Sequence, residues 1–188
     1  MLAELGIIPQ EMLEEYPNGK LCSHIHNGVP GVTVTTGSLG HGLGTAVGMA
    51  EAMKLRGDMG LVVCIMGDGE CQEGSVWEAA RLAQKWGLGN VLAVVDMNGV
   101  GATDYTGWGD PISRWNSFGW AVKLVDGHSI EKLTWSFRDS RLHHNIPPVV
   151  VLARTIKGNG ISFMESQPIW HSRVPRGAEV DAVMEALR

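Results

Sequence analysis

Two residues carry the clearest chemistry in the chain. Asp68 stands between Gly67 and Gly69 at the end of one apolar run, and Asn98 closes a second run thirty positions later. A carboxylate and an amide oxygen brought together suit a hard divalent cation such as Mg2+ or Ca2+, which takes oxygen ligands. Two side chains are too few to hold such an ion, so backbone carbonyls, water and a bound polyphosphate must complete its shell. Gly67 and Gly69 leave the backbone open to a ligand. Taken singly, a strand-end Asp and an Asn98-Gly99 turn are commonplace. The pair, at this spacing, requires a structural reason.

That reason lies in the elements around them. Positions 61–66 and 91–95 are short, rich in β-branched residues and not alternating, which predicts strands buried on both faces of a parallel sheet. Between them, 74–86 has a helical pattern. A right-handed strand–helix–strand crossover puts both strand ends on one sheet edge, where open α/β sheets bind ligands. The spacing predicts further helices over 9–15, over 43–56 with Gly57 as its C-cap, and over 179–187. Strands are expected at 121–125 and 149–153, joined by a helix over 132–142 with Ser129 as N-cap. The small residues Ala46, Gly48, Ala50 and Ala52 let the second helix pack close to the sheet. The expected fold class is therefore α/β, in three α/β/α layers around a mainly parallel central sheet. With no linker, repeat or low-complexity tract, 1–188 reads as a single domain.

The Gly-rich stretch 37–44 is not a dinucleotide fingerprint. Gly40, Gly42 and Gly44 do not follow the G-x-G-x-x-G spacing, and no strand leads into them. It is either a tight turn entering a helix or backbone set beside a ligand.

Residues 67–80, from Gly67-Asp68-Gly69-Glu70 through Gln72-Glu73-Gly74 to Trp77-Glu78-Ala79-Ala80, together with Asn98, resemble the thiamine-diphosphate motif of transketolases. The resemblance extends upstream through Pro30-Gly31 and Gly37-Ser38-Leu39-Gly40, and downstream to Lys157-Gly158-Asn159-Gly160 and Trp170-His171, in the family's order. It implies a thiamine-diphosphate-binding fold. Metal ligation is implied for the side chains of Asp68 and Asn98 and the carbonyl of Val100, with Mg2+ or Ca2+ as the ion. Cofactor contacts are implied for Gly37, Leu39, Gly67, Asp68, Gly69, Glu70, Asn98 and His171, with Gly37 and Leu39 seating the aminopyrimidine ring. His24 and His171 match family histidines that meet substrate hydroxyls and the reacting carbons, where an imidazole donates to an alkoxide or relays a proton. Glu73 matches a Glu that contacts the neighbouring subunit, linking two cofactor sites; on its own it is also an ordinary acid at a helix start. These three are the candidate catalytic residues. Lys157 is either a counter-charge for phosphate or a solvated loop residue.

The implied reaction is transfer of a two-carbon ketol unit from a ketose phosphate to an aldose. The resemblance also implies a pyrimidine-binding domain carrying the activating Glu. That domain is expected on a separate C-terminal transketolase-like subunit, in a heterotetramer, with no activity from the present chain alone. Two other readings keep their place: a two-component enzyme passing the unit to a lipoyl group or carrier protein, and a non-catalytic structural subunit.

Composition narrows the classes further. A net charge of −5 offers no basic footprint for nucleic acid. No apolar run approaches the length of a membrane span. Cys22, Cys64 and Cys71 are unevenly spaced, without a CxxC, which suits reduced thiols and a cytoplasmic setting. His128, His143 and His144 read as solvated, and Trp108, Trp115, Trp120 and Trp135 as packing.

Overall fold

The computed structural model describes residues 2–14, 21, 24–101, 104–139 and 146–187. Among them, four strands, β1 (Val62–Gly67), β2 (Val91–Met97), β3 (Ala121–Asp126) and β4 (Val149–Arg154), form one sheet in the order β1-β2-β4-β3. All three pairings are parallel, so every strand ends on the same sheet edge. Six helices accompany them among the described residues: α1 (Glu11–Glu14), α2 (Gly42–Arg56), α3 (Gly74–Lys85), α4 (Pro111–Ser117), α5 (Ile130–Asp139) and α6 (Ala178–Ala186).

The main core lies on one face of the sheet. Cys64 and Met66 of β1, Val91, Ala93 and Val95 of β2, and Val150 and Leu152 of β4 meet Leu43, Ala46, Val47 and Ala50 of α2 and Val76, Ala79, Ala80 and Ala83 of α3. The α3 residues recur at i, i+3, i+4 and i+7, the stripe a helix needs to bury one face. α2 stops where expected: Gly57 adopts φ 74°, and the N–H groups of Gly57 and Asp58 return to the Lys54 and Met53 carbonyls. On the opposite face, Leu92, Val94, Val149 and Val151 form a smaller cluster. There Lys123 Nζ donates to the Ser136 carbonyl, which ties α5 to β3 and gives the sheet helices on both faces.

The parallel α/β architecture matches the sequence expectation; one detail of it does not. β2 and β4 are buried through their apolar runs, but β1 is buried on one face only: Val63 is 50% and Ile65 74% exposed. β1 is an edge strand, and no described element covers its second face. Its composition equals that of a buried strand because composition does not record how many layers lie above it. Trp135 is a second correction, being 65% exposed rather than packed. The helix expected over 9–15 is seen as Glu11–Glu14, and that expected over 132–142 as Ile130–Asp139, with Ser129 Oγ accepting from Lys132 N–H. Glu15, Cys22, Leu142, His143 and His144 lie outside the described residues. α4 had no counterpart in the sequence reading, although Asp110-Pro111 is a strong helix start: Asp110 Oδ1 accepts from the Ile112 and Ser113 N–H groups, and Pro111 needs no partner there.

Candidate active site

β1 and β2 run side by side with Gly67 opposite Asp96, so Asp68 and Asn98 emerge next to each other at the carboxyl edge of the sheet. Both line a cleft of about 420 Å³, with Leu39, Gly67, Gly69, Glu70, Glu73, Val100, Lys157 and His171. A larger cavity of about 820 Å³ lies between β3 and α5, but no motif residue reaches it. The chemistry belongs to the smaller one.

Asp68 is 1% exposed, and no cationic side chain among the described residues pairs with it. Its carboxylate is held by neutral donors. Oδ1 accepts from Gly69 N–H at 2.9 Å; Oδ2 accepts from Gly99 N–H at 2.7 Å and from Thr106 Oγ1 at 3.1 Å. Its backbone carbonyl accepts from Trp108 Nε1 at 2.8 Å. A carboxylate offers about four lone-pair positions, so one stays free. Among the described residues Asn98 Oδ1 accepts only from Val100 N–H, at 3.0 Å, which leaves a lone pair there too. No described residue donates to the carbonyl of Val100, itself 4% exposed. Three oxygens with spare capacity therefore border one cleft, around a buried negative charge. That donor set fits a hard divalent cation whose remaining ligands come from a bound diphosphate and water. No group of three or more His, Cys, Asp or Glu side chains converges among the described residues, so carbonyl and amide oxygens must supply part of any shell.

The Gly-rich turn is fastened to the motif. Gly40 N–H donates to Glu70 Oε1 at 2.9 Å, and Ser75 Oγ donates to the Gly40 carbonyl at 2.9 Å. These bonds carry Leu39 to the cleft. Gly37, at φ 118°, is not among the lining residues. It lies against His24, whose Cδ2 would be 2.4 Å from a Cβ at that position, and His24 likewise does not line the cleft. Glu73 is exposed at the N-cap position of α3 and makes no side-chain capping bond. His171 is exposed, in a 3-10 turn spanning Pro168–His171.

Several contributors escaped the sequence reading. Gly101, Asp104, Tyr105 and Thr106 bring the loop after β2 into the cleft lining. Tyr105 Oη donates to the Ser166 carbonyl at 3.3 Å, joining that loop to the one carrying Lys157. Thr106 is held by its N–H to the Gly99 carbonyl and by Gln72 Nε2 to its own carbonyl. His128 is exposed, as expected, but it is not idle. Its Nε2 accepts from Ile156 N–H at 2.8 Å, so from the surface it braces the Lys157 loop.

The cysteines near the site are protected. Burial, reinforced by Glu70, pushes the Cys64 thiol up to about 11. Burial, with Glu70 and Asp68, pushes Cys71 up further still. Both remain neutral thiols, with little thiolate to react.

Comparison with known proteins gives the family. Residues 18–187 match the family described as "Transketolase, thiamine diphosphate binding domain". The chain is 39% identical over 194 residues to one subunit of the apulose-4-phosphate transketolase of Actinobacillus succinogenes, covering 100% of this chain and 70% of that protein. It is 38% identical over 158 residues to human transketolase, covering 81% of this chain but 25% of the relative. The crystal structure of transketolase from Campylobacter jejuni superposes with a TM-score of 0.83 at 27% identity, over 94% of this chain and 30% of that one. The chain thus spans most of the first relative and under a third of the other two. A buried Asp and an Asn at adjacent parallel strand ends, a matching domain over nearly the whole length and a shared fold identify the chain as a member of the transketolase thiamine diphosphate-binding domain family.

Proposed function

We propose that the chain is the diphosphate-binding subunit of a two-chain transketolase-like enzyme that moves a two-carbon ketol unit from a ketose phosphate to an aldose. The observation that carries this reading is the cleft itself, where Asp68, Asn98 and Val100, whose carbonyl receives no donor among the described residues, border one space with Lys157 and His171. When bound, thiamine diphosphate supplies a carbanion at its thiazolium ring.

This chain's residues do the rest. Asp68, Asn98 and the Val100 carbonyl would hold Mg2+ or Ca2+, which would supply positive charge for the diphosphate. Gly67, Gly69 and Glu70 shape the motif around it. Lys157 adds a positive charge to the phosphate side. Leu39, at the cleft, and Gly37, in the same turn outside its lining, would seat the pyrimidine ring. His171 offers an imidazole N–H to an alkoxide at the reacting carbon, His24 binds substrate hydroxyls, and Glu73 faces the neighbouring subunit.

The split arrangement draws support from the Actinobacillus relative, which is named as one subunit of its enzyme while aligning with the whole of this chain. The pyrimidine-binding domain and its activating Glu then belong to a partner chain, in a heterotetramer, and the present chain is a single diphosphate-binding domain. The same relative's name supports a ketose phosphate as the donor class. The buried free thiols Cys64 and Cys71 support a reducing, cytoplasmic setting.

Calorimetric titration of thiamine diphosphate with Mg2+ into the chain, alone and with a pyrimidine-domain chain, tests the reading. Binding in the mixture, lost in Asp68→Ala and accompanied by ketol transfer, is the expected result. Absence of binding in both preparations would overturn it, and turnover by the present chain alone would overturn the split.

A further inference from the structure

Asp96 occupies the next-to-last position of β2, two residues before Asn98, and is not among the residues lining the cleft. It nevertheless touches both strand-end groups. Its backbone carbonyl accepts from Asp68 N–H at 3.1 Å, and its Oδ2 accepts from Asn98 Nδ2 at 2.9 Å. Its second carboxylate oxygen, Oδ1, accepts from Thr155 Oγ1. Thr155 directly follows β4, the strand beside β2, and its own N–H reaches the Met97 carbonyl at 3.4 Å. Gly127 leaves room for it: a Cβ there would lie 2.5 Å from Thr155 Cγ2.

An Asn amide presents an acceptor on one side and two donors on the other. Here both sides are assigned, with Nδ2 on Asp96 and Oδ1 accepting from Val100 N–H. Rotating the amide by half a turn would set oxygen against the Asp96 carboxylate and NH2 against the Val100 N–H. Acceptor would face acceptor and donor would face donor. A cation requires the oxygen, and an inverted amide would aim N–H groups at a positive charge. The carboxylate of Asp96 makes the useful orientation the stable one, and the Thr155 hydroxyl keeps that carboxylate from turning.

We propose that Asp96, steadied by Thr155, is a positioning residue that holds the Asn98 amide with its oxygen available to a divalent cation. The inference rests on the cofactor reading above, but it fails separately. Groups that orient a metal ligand from behind change metal affinity by about 10- to 100-fold when removed.

The test is calorimetric titration of Mg2+ in the presence of thiamine diphosphate, on the chain combined with its pyrimidine-domain partner. Asp96→Ala and Thr155→Val should each weaken Mg2+ binding about 10-fold or more, whereas Thr155→Ser, which keeps the hydroxyl, should restore it. In an Asn98→Ala background, Asp96→Ala should change Mg2+ affinity no further, because its effect passes through Asn98. Unchanged Mg2+ affinity in the Thr155→Val protein, or an equal Asp96→Ala loss with and without Asn98, would overturn the assignment. Should Asp96→Ala fail to fold, the Thr155→Val and Thr155→Ser pair decides alone. Absence of Mg2+ binding in the wild-type complex would instead overturn the cofactor reading.

Discussion

The Thr106 hydroxyl donates to Asp68 Oδ2 at 3.1 Å, so the loop after β2 reaches back to the end of β1 across thirty-eight residues of sequence. Both residues are buried, and the bond supplies one of the three donors that compensate the Asp68 carboxylate. Thr106→Val keeps the shape and removes that donor. Oδ2 keeps Gly99 N–H, so the loss is one hydrogen bond to a charged group, about 1.5–3 kcal/mol. Chemical denaturation should show Thr106→Val less stable by that order, with Thr106→Ser close to wild type. Equal midpoints for Val and Ser would show the hydroxyl to be idle.

Asp68→Ala strips the acceptor from Gly69 N–H, Gly99 N–H and Thr106 Oγ1 together. The strand ends should loosen even without ligand, and hydrogen exchange at Gly69 and Gly99 should accelerate. Divalent-cation binding should vanish. Retained Mg2+ affinity in this variant would remove Asp68 from the ligand set.

Gly40 stands at φ 82°, and a Cβ there would lie 2.5 Å from Ser75 Oγ and 2.6 Å from Glu73 Cβ. Left-handed backbone alone costs a non-glycine residue about 1–3 kcal/mol. Gly40→Ala should therefore lower Tm by several degrees and free the turn bearing Leu39, which faster proteolysis would report. Gly44→Ala, where a Cβ meets nothing within 4 Å, is the control and should leave Tm unchanged or raised.

Cys64 titrates at about 11 in the folded chain against an ordinary value of 9.0, chiefly because it is buried. The folded state thus holds its proton more tightly than the unfolded state does. Its stabilising contribution is complete below pH 9 and is lost as pH rises through 11. Denaturation midpoints should fall across that window, with a shallower slope in Cys64→Ala. At about pH 8, below both values, Cys64 should resist alkylation until denaturant is added. Rapid labelling of the native protein at Cys64 would contradict the burial.

The strand ends were legible because a parallel sheet writes itself in runs such as 91–95 and 149–153, and because Asp68 and Asn98 close two of those runs. The exposed face of β1 was not, since Val63 and Ile65 resemble buried residues until the layer above them is known. Thr106 and Tyr105 follow no period and form no motif; only the fold of the loop, set by Thr106 N–H on the Gly99 carbonyl, brings them to the cleft. Asp96 was hidden for a different reason. Its partners are an amide two residues on and a hydroxyl fifty-nine positions away, a relation visible only once β4 lies beside β2.

Trp108, whose indole N–H holds the Asp68 carbonyl, lies 6.0 Å from Trp77, and Trp77 lies 4.9 Å from Trp115, itself 5.0 Å from Trp120. Indoles this close can exchange excitation energy. Light absorbed anywhere in the array is shared with the one ring bonded to the strand end. The intrinsic emission of the folded chain should therefore change when the cleft beside Asp68 fills, and a fluorescence titration with no added label would check it.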